Sequence, residues 1–166
     1  MTQTISHVRD SHQKHLAFWL MVAAFAITAA VYWPGLSGSF LFDDYPNIVD
    51  NPGVQPPDGS MSSLMGAALS SPSSEFKRPL ASLSFAANYL ATGLDPYWMK
   101  LTNLAIHLLN GWLVYLLART LLRSFPAEQD RTGAVAALIA GSWMLLPINL
   151  TGVLYVVQRM ESMANL

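Results

Sequence analysis

Two long apolar segments constrain this chain more than any other feature of its sequence. Residues 16–33 contain no charged side chain, and residues 101–122 contain only one, Arg119. An α-helix rises about 1.5 Å per residue, so eighteen residues cover roughly 27 Å, close to the thickness of the hydrocarbon core of a bilayer. Only 11% of the residues are charged, whereas soluble domains have about 25%. The sequence therefore predicts an all-α membrane protein.

A third apolar segment, residues 133–157, is less regular than the other two. Pro147 should end or kink a helix there, which places the third span at 133–148. Residues 149–166 then form an outer segment that leads into a truncated fourth helix, so we expect this chain to be the front of a longer protein. A signal peptide is the alternative for the first span, but the apolar run of this span is too long for one, and Trp33-Pro34-Gly35 is not a small-residue cleavage site.

The distribution of cations predicts the orientation in the membrane. The following basic residues lie in the head or near the connection between the second and third spans: Arg9, Lys14, Arg119, Arg123 and Arg131. We therefore expect a multi-pass protein with a cytoplasmic N-terminus. The predicted organisation is a cytoplasmic head at 1–15, spans at 16–35, 98–122 and 133–148, an extracytoplasmic loop at 36–97 and a cytoplasmic loop at 123–132.

The large outer loop contains two short helical patterns, at 62–71 and 79–92. Pro79 suits a first helical turn and Gly93 suits a helix end. Both segments are too short to span a bilayer, so we expect amphipathic helices on the outer membrane surface. Lys77 and Arg78 come just before the second pattern, where unpaired backbone N–H groups also favour anions. We predict that they bind a phosphate, with a membrane lipid as the available source.

An acid pair, Asp43 and Asp44, lies in the same loop between Phe42 and Tyr45. Neighbouring side chains of an extended backbone point in opposite directions, so one carboxylate would act and the other would anchor the loop. Partial desolvation by the aromatic rings would raise the pKa of a carboxylate and suit it to general-base catalysis. The alternative is an Asx-turn or a helix cap without chemistry. The one cofactor that the acid pair could bind is a divalent metal, Mg²⁺ or Mn²⁺. Water and phosphate would complete the ligands of the metal.

Polar residues inside the second span form a second candidate site. Asn103, His107 and Asn110 share one helix face, and lipid would disfavour them, so this face should point into a helix bundle. His107 could serve either as a hydrogen-bonded packing residue or as a functional group. A third candidate site, at the outer membrane edge, consists of Gln158, Arg159 and Glu161. The net charge of −1 and the absence of cysteine give no support for nucleic-acid binding or a disulfide framework.

The order of these motifs resembles a family. "FLFDDYPNIVDNP", then "FKRPLASLSFAANYLATGLDPYWMKLTNLAIHLLNGWLVYLLARTLL", then "LLPINLTGVLYVVQRMESMANL" resembles the N-terminal part of the GT-C membrane glycosyltransferases. The likeness is greatest to bacterial relatives of the transmembrane and tetratricopeptide-repeat O-mannosyltransferases. It covers residues 16–166. One departure is Leu146-Pro147, where the family commonly has a His-Pro pair.

The resemblance implies inverting transfer of a sugar from a polyprenyl-phosphate carrier to a protein or glycan acceptor outside the bacterial inner membrane. An acid of the first outer loop, here Asp43 with Asp44 beside it, would be the general base or position the acceptor. Two other classes stay open. One is a non-catalytic membrane anchor of a tetratricopeptide-repeat protein, and the other is a transporter or assembly subunit with Asn103, His107 and Asn110 as a polar relay.

Overall fold

The computed structural model describes residues 2–72, 78–124 and 131–165, with side chains from His15 to Ala164 within these ranges. All regular structure in this part of the chain is helical, which confirms the predicted all-α class. Among the described residues, two helices are long and apolar enough to cross a membrane, His15–Ser37 and Pro96–Leu122. A bent pair, Thr132–Met144 with Pro147–Leu154, makes a third if it is counted as one span.

Seven α-helices occur in the described residues. They are α1 (Thr2–Tyr32), α2 (Met61–Ala68), α3 (Pro79–Thr92), α4 (Pro96–Leu122), α5 (Thr132–Met144), α6 (Leu150–Leu154) and α7 (Arg159–Ser162). Short 3₁₀ turns cover Trp33–Ser37, Pro52–Val54, Pro147–Asn149, Val156–Gln158 and Met163–Asn165, and Tyr45–Val49 forms one π-helical turn.

Local sequence signals explain where the helices of the loop between the first two spans begin and end. The Ser60 hydroxyl accepts a hydrogen bond from the Ser63 amide at the start of α2, as an N-cap residue does. Pro79 opens α3, and Gly93, with φ of +70°, ends it in a conformation that favours glycine. At the start of α4 the Asp95 carboxylate accepts a hydrogen bond from the Tyr97 amide at 2.9 Å. The helix predicted at 79–92 therefore has the observed bounds, whereas the helix predicted at 62–71 is shorter.

The chain after α5 differs most from the sequence-based expectation. Helix α5 ends at Met144, four residues before the predicted end of the third span, and the Asn149 side-chain amide donates to the Trp143 carbonyl at 2.6 Å. Residues 149–165 form a series of short helical turns instead of the start of one long helix. Tyr155 has extended backbone angles (φ −102°, ψ 111°), which interrupts helical hydrogen bonding.

The described chain divides into two compact units. The first, which we call the span unit, contains residues 1–31 and 108–149. Its core contains Met21, Tyr115, Ala136, Ala137 and Ala140. Small residues bring helix backbones close together: a Cβ added at Gly141 would lie 3.1 Å from the Ala24 Cβ, and one at Gly111 would collide with the Met144 side chain.

The second unit, which we call the loop unit, contains residues 32–107 and 150–166. Its buried core residues come from the outer loop, α3, the start of α4 and the segment after α6; they are Ile48, Val54, Ala81, Phe85, Met99, Val156, Val157 and Met160. Both acids of the pair lie in this unit, as do Arg78, Asn103 and Arg159. The loop unit is therefore the unit that organises the candidate site.

Candidate functional site

The acid pair lies on a tight turn of the loop unit, not on extended backbone. The Asp44 amide donates to the Leu41 carbonyl at 2.8 Å and the Tyr45 amide donates to the Phe42 carbonyl at 3.1 Å. Phe42 has φ of +32°, the one positive value among the described non-glycine residues, and its side chain is 83% exposed. Such backbone strain persists only where the surroundings enforce it, and it recurs at functional sites.

Asp44 is the buried member of the pair and closes this turn onto a distant part of the chain. Its side chain is completely buried. One carboxylate oxygen accepts the Leu41 amide at 2.9 Å and the other accepts the Val157 amide at 2.7 Å. Burial raises the pKa of Asp44, and the backbone amides and the Lys100 charge oppose that rise. Asp44 therefore acts as a structural clamp with both oxygens engaged.

Asp43 is held through its backbone while its side chain is exposed. Its amide donates to the Tyr155 hydroxyl at 2.8 Å, and its carbonyl accepts the Asn47 side-chain amide at 2.8 Å. Its carboxylate accepts no hydrogen bond from the described residues. We predicted that the side chains of Asp43 and Asp44 would point in opposite directions because the backbone would be extended. The reason was wrong, because a turn separates the two side chains.

Asn103 holds the segment to which both acids are attached. Its side-chain amide lies 3.2 Å from the Val153 carbonyl, 3.4 Å from the Tyr155 carbonyl and 3.3 Å from the Val156 carbonyl. These carbonyls belong to the interrupted helical stretch. The Tyr155 and Val156 carbonyls also accept backbone amides, whereas the Val157 amide donates to Asp44 instead of to the Val153 carbonyl. The buried Asn103 therefore compensates for the break in the chain that brings the Tyr155 hydroxyl and the Val157 amide to the acid pair.

Arg159 is the largest fully buried side chain of the protein's described part. Its guanidinium donates to the Asn103 side-chain oxygen at 2.7 Å, to the Met99 carbonyl at 2.7 Å and to the Ser84 hydroxyl at 3.2 Å. It also lies over the Phe85 ring, 4.5 Å from the centroid. Burial lowers the pKa of Arg159 to about 9, so the group is charged at neutral pH. It forms no ion pair with a carboxylate of the described residues.

Lys100 is the second buried cation of the loop unit. Its ammonium donates to the Gly38 carbonyl at 2.7 Å and to the Ser39 carbonyl at 3.1 Å, and its charge lowers the pKa of Asp44. A Cβ at Gly38 would lie 2.9 Å from this ammonium, so the absence of a side chain there makes room for the contact. Lys100 therefore fixes the stretch of chain that leads to the acid pair.

The remaining predicted site residues lie in different parts of the structure. Asn103, His107 and Asn110 are all buried, the last of them in the span unit; the His107 ring packs edge-on against the Tyr32 ring with centroids 5.5 Å apart. Within the predicted outer-edge group, Gln158 is half-buried, Arg159 points into the core, and Glu161 is exposed. These last three residues do not form one site, because neighbouring helical positions face in different directions.

Arg78 and Glu161 form an exposed ion pair, with 2.7 Å between the Arg78 Nη1 and the Glu161 Oε1. Both residues line a cleft of about 250 Å³ whose other walls are apolar. Lys77, which we predicted as a partner of Arg78 in phosphate binding, lies outside the described residues. Sequence reasoning missed Tyr155, Lys100 and Ser84 as parts of the site, because their contacts join residues far apart in the sequence.

The acid pair does not by itself suit a divalent metal. Mg²⁺ and Mn²⁺ require several oxygen ligands that are free to point at the ion, whereas both oxygens of Asp44 already accept backbone amides. No group of three or more His, Asp or Glu side chains that could hold a metal occurs among the described residues. We therefore derive no step that passes through a metal.

The apolar helices and the exposed carboxylate on a clamped turn define a membrane protein with a polar site in its loop unit, and the cleft with Arg78 at its rim belongs to the same unit. Sequence comparison then identifies its relatives. The chain is 33% identical over 154 residues to the protein O-mannosyl-transferase Tmtc1 of Drosophila melanogaster, covering 84% of this chain and 17% of that protein. It is 29% and 26% identical over 145 residues to the protein O-mannosyl-transferase TMTC3 of Mus musculus and of Homo sapiens, again covering 84% of this chain and 15% of each relative.

The homologues of this chain are therefore protein O-mannosyl-transferases, which supports the predicted glycosyltransferase relationship. The chain spans only 15–17% of the length of these curated relatives. No family profile and no solved structure matches it. All three relatives are animal proteins, so the expected bacterial source stays a prediction.

Proposed function

We propose that this chain forms the acid-bearing region of an integral-membrane glycosyltransferase of GT-C type. The enzyme would transfer a hexose from a polyprenyl-phosphate carrier to a hydroxyl of an extracytoplasmic acceptor. The names of the relatives favour mannose as the sugar and a protein as the acceptor. The activity would belong to the whole protein, since the matched region is a small fraction of each relative.

The contrast between the two acids is the observation that carries this proposal. Asp44 is buried with both oxygens bonded to amides, whereas the Asp43 carboxylate is exposed and its backbone is fixed on both sides. Preorganisation of this kind is what a general base needs, because its carboxylate must already lie where the reacting proton will be. An ordinary surface acid would not require a buried partner, a strained neighbour and a distant tyrosine to hold it.

In the proposed reaction the Asp43 carboxylate accepts the proton of the acceptor hydroxyl. The hydroxyl oxygen attacks the anomeric carbon of the sugar from the side opposite the phosphate, and the bond between that carbon and the phosphate oxygen breaks. The polyprenyl phosphate leaves with the bonding electron pair, so the configuration at the anomeric carbon is inverted. Arg78 would stabilise the phosphate, since a guanidinium can donate two parallel hydrogen bonds to phosphate oxygens.

The proposed location of the reaction follows from the distribution of cations. The loop unit would lie on the outer side of the membrane, with the N-terminus in the cytoplasm, in agreement with the positive-inside bias. On that side the exposed aromatic side chains of Phe42 and Tyr45 would lie in the interface between lipid headgroups and water, where aromatic residues are favoured.

Substitution of the exposed acid tests the proposal. In the intact protein, Asp43→Asn should lower sugar transfer by about 10²–10⁴-fold, the usual contribution of a general base. Donor binding should be retained, because the lost interaction matters mainly in the transition state. The matched control is Asp50→Asn, which changes another exposed acid of the same loop and should leave transfer unchanged.

Sugar transfer is measured with membranes that contain each variant at equal abundance, and the result decides whether Asp43 is the base. If Asp43→Asn transfers sugar as well as Asp50→Asn does, Asp43 is not the base and the non-catalytic anchor becomes the better interpretation. If His107→Ala instead abolishes solute transport while sugar transfer is never detected, the transporter alternative is favoured.

A further inference from the structure

The cleft beside the exposed ion pair has an unusual combination of walls. It has a volume of about 250 Å³, and the first turn of α3 and the end of the described chain form its sides. Arg78 is the cation at its rim, and its apolar lining includes Leu80, Ala81, Met160, Met163 and Ala164. A single guanidinium next to an apolar surface matches a molecule with an anionic head and a hydrocarbon chain.

Glu161 currently takes the position that such an anionic head would take. Its carboxylate lies 2.7 Å from the Arg78 Nη1, and the two side chains are 61% and 38% exposed, respectively. Ion pairs with this exposure are weak, because water screens the attraction and two long side chains must be ordered. A phosphate has more oxygens than a carboxylate and can engage the guanidinium through two hydrogen bonds. The Arg78–Glu161 pair is therefore readily displaced.

We propose that Glu161 is an intramolecular competitor for Arg78, which closes the cleft until the phosphate of an isoprenoid lipid displaces it. This inference rests on the proposed function, whose donor and product both contain an isoprenoid phosphate. The competition lowers the affinity for both molecules by the same factor. It thereby shifts both binding equilibria toward the free protein. This matters most for the product, whose phosphate monoester is the more highly charged of the two and would otherwise bind Arg78 the more tightly.

The expected size of the effect follows from the weakness of the pair. Surface ion pairs correspond to equilibrium constants of about 1.4 to 5 in favour of the closed state. The apparent dissociation constant of a competing ligand rises as the open fraction falls. Glu161→Gln, which keeps the size of the side chain but removes its charge, should therefore tighten phosphate binding about two- to sixfold.

The direct test is binding of farnesyl phosphate to the intact protein in lipid nanodiscs, measured by isothermal titration calorimetry. Glu161→Gln should lower the dissociation constant about two- to sixfold, Glu161→Asp should have an intermediate effect, and Arg78→Gln should weaken binding at least about tenfold. In the Arg78→Gln background, Glu161→Gln should have no further effect, because there is no longer a cation to compete for. Asp50→Asn, which removes an unrelated exposed acid, should bind like the unmodified protein.

Three further probes separate the sources of the phosphate. Farnesol should bind weakly, and Glu161→Gln should not change its affinity, because farnesol has no charged group with which Glu161 could compete. Inorganic phosphate should bind far more weakly than farnesyl phosphate, since it cannot use the apolar walls. Nanodiscs with added phosphatidic acid should not compete with farnesyl phosphate. Equal competition by phosphatidic acid, or equal binding of inorganic phosphate, would overturn the assignment to an isoprenoid phosphate.

The competition itself is overturned if Glu161→Gln fails to tighten farnesyl phosphate binding, or if it tightens binding equally in the Arg78→Gln background. These outcomes differ from a failure of the proposed reaction. Loss of sugar transfer in Asp43→Asn with no effect of Glu161 on binding would leave the reaction supported and remove the competitor. The reverse result, competition without any sugar transfer, would retain the lipid site and remove the enzyme.

Discussion

The two adjacent acids should respond very differently to the same isosteric change. Asp44→Asn replaces one of two buried carboxylate oxygens by an NH₂ group, which then faces a backbone amide donor, either Leu41 or Val157. One hydrogen bond is lost and two donors are left facing each other without an acceptor. Asp43→Asn changes an exposed carboxylate whose backbone contacts stay intact.

The magnitudes follow from these contacts. A buried donor left unsatisfied costs about 1–3 kcal/mol, and burying a neutral amide in place of a charge recovers part of this cost. We therefore expect Asp44→Asn to lower the free energy of unfolding by about 1–3 kcal/mol. Asp43→Asn should change it by no more than about 0.5 kcal/mol, as surface substitutions usually do.

The pH dependence provides a second signature of the buried acid. Because burial raises the pKa of Asp44 in the folded protein above its ordinary value of 3.8, the folded state holds more protons than the unfolded state between the two pKa values. The free energy of unfolding should therefore decrease as pH rises from about 3.8 through the raised pKa, and this contribution should level off above it. The Asp44→Asn variant should lack that slope.

Reversible unfolding of the intact protein by SDS in mixed micelles, followed by tryptophan fluorescence, measures both quantities. The refuting result would be equal unfolding free energies for Asp44→Asn and Asp43→Asn, within about 0.5 kcal/mol. Equality would mean that the two amide donors find other acceptors, so that Asp44 does not clamp the turn.

Four further substitutions test other contacts. Tyr155→Phe removes the acceptor for the first amide of the acid pair and should reduce sugar transfer about tenfold with little change in donor affinity, measured as a kcat effect with unchanged KM. Arg159→Lys cannot reproduce three hydrogen bonds from one planar group and should lower the free energy of unfolding by about 2–4 kcal/mol in the same SDS titration. Gly111→Val would collide with the buried Met144 and should cost about 1–3 kcal/mol. Gly66→Ala, at an open helical position, should instead stabilise the protein by up to about 1 kcal/mol, and a reversed order of these two glycine variants would contradict the packing described for the span unit.

The positions of the long helices follow from sequence because their causes are local. The uncharged residues 16–33 and the apolar stretch 101–122 must avoid water wherever the rest of the chain lies. The bounds of α3 were also predictable, since Pro79 and Gly93 restrict their own backbone angles. Each of these signals acts within a few residues, so a single sequence contains it in full.

The division of labour within the acid pair depends on tertiary structure. Asp43 and Asp44 are chemically identical neighbours, and their difference arises from Tyr155 and Val157, more than 100 residues further along the chain. Only the folded chain brings those partners into range.

The burial of Arg159 has the same kind of cause. Its partners Asn103 and Met99 lie 56 and 60 residues away, and without them a charged side chain next to a membrane would be expected at the surface. The cost of burying that charge is offset only by hydrogen bonds that form once α3, α4 and the segment after α6 are packed together. Local sequence therefore determined the long helices and α3, and packing between distant segments decided which charges are buried and which carboxylate of the pair is exposed.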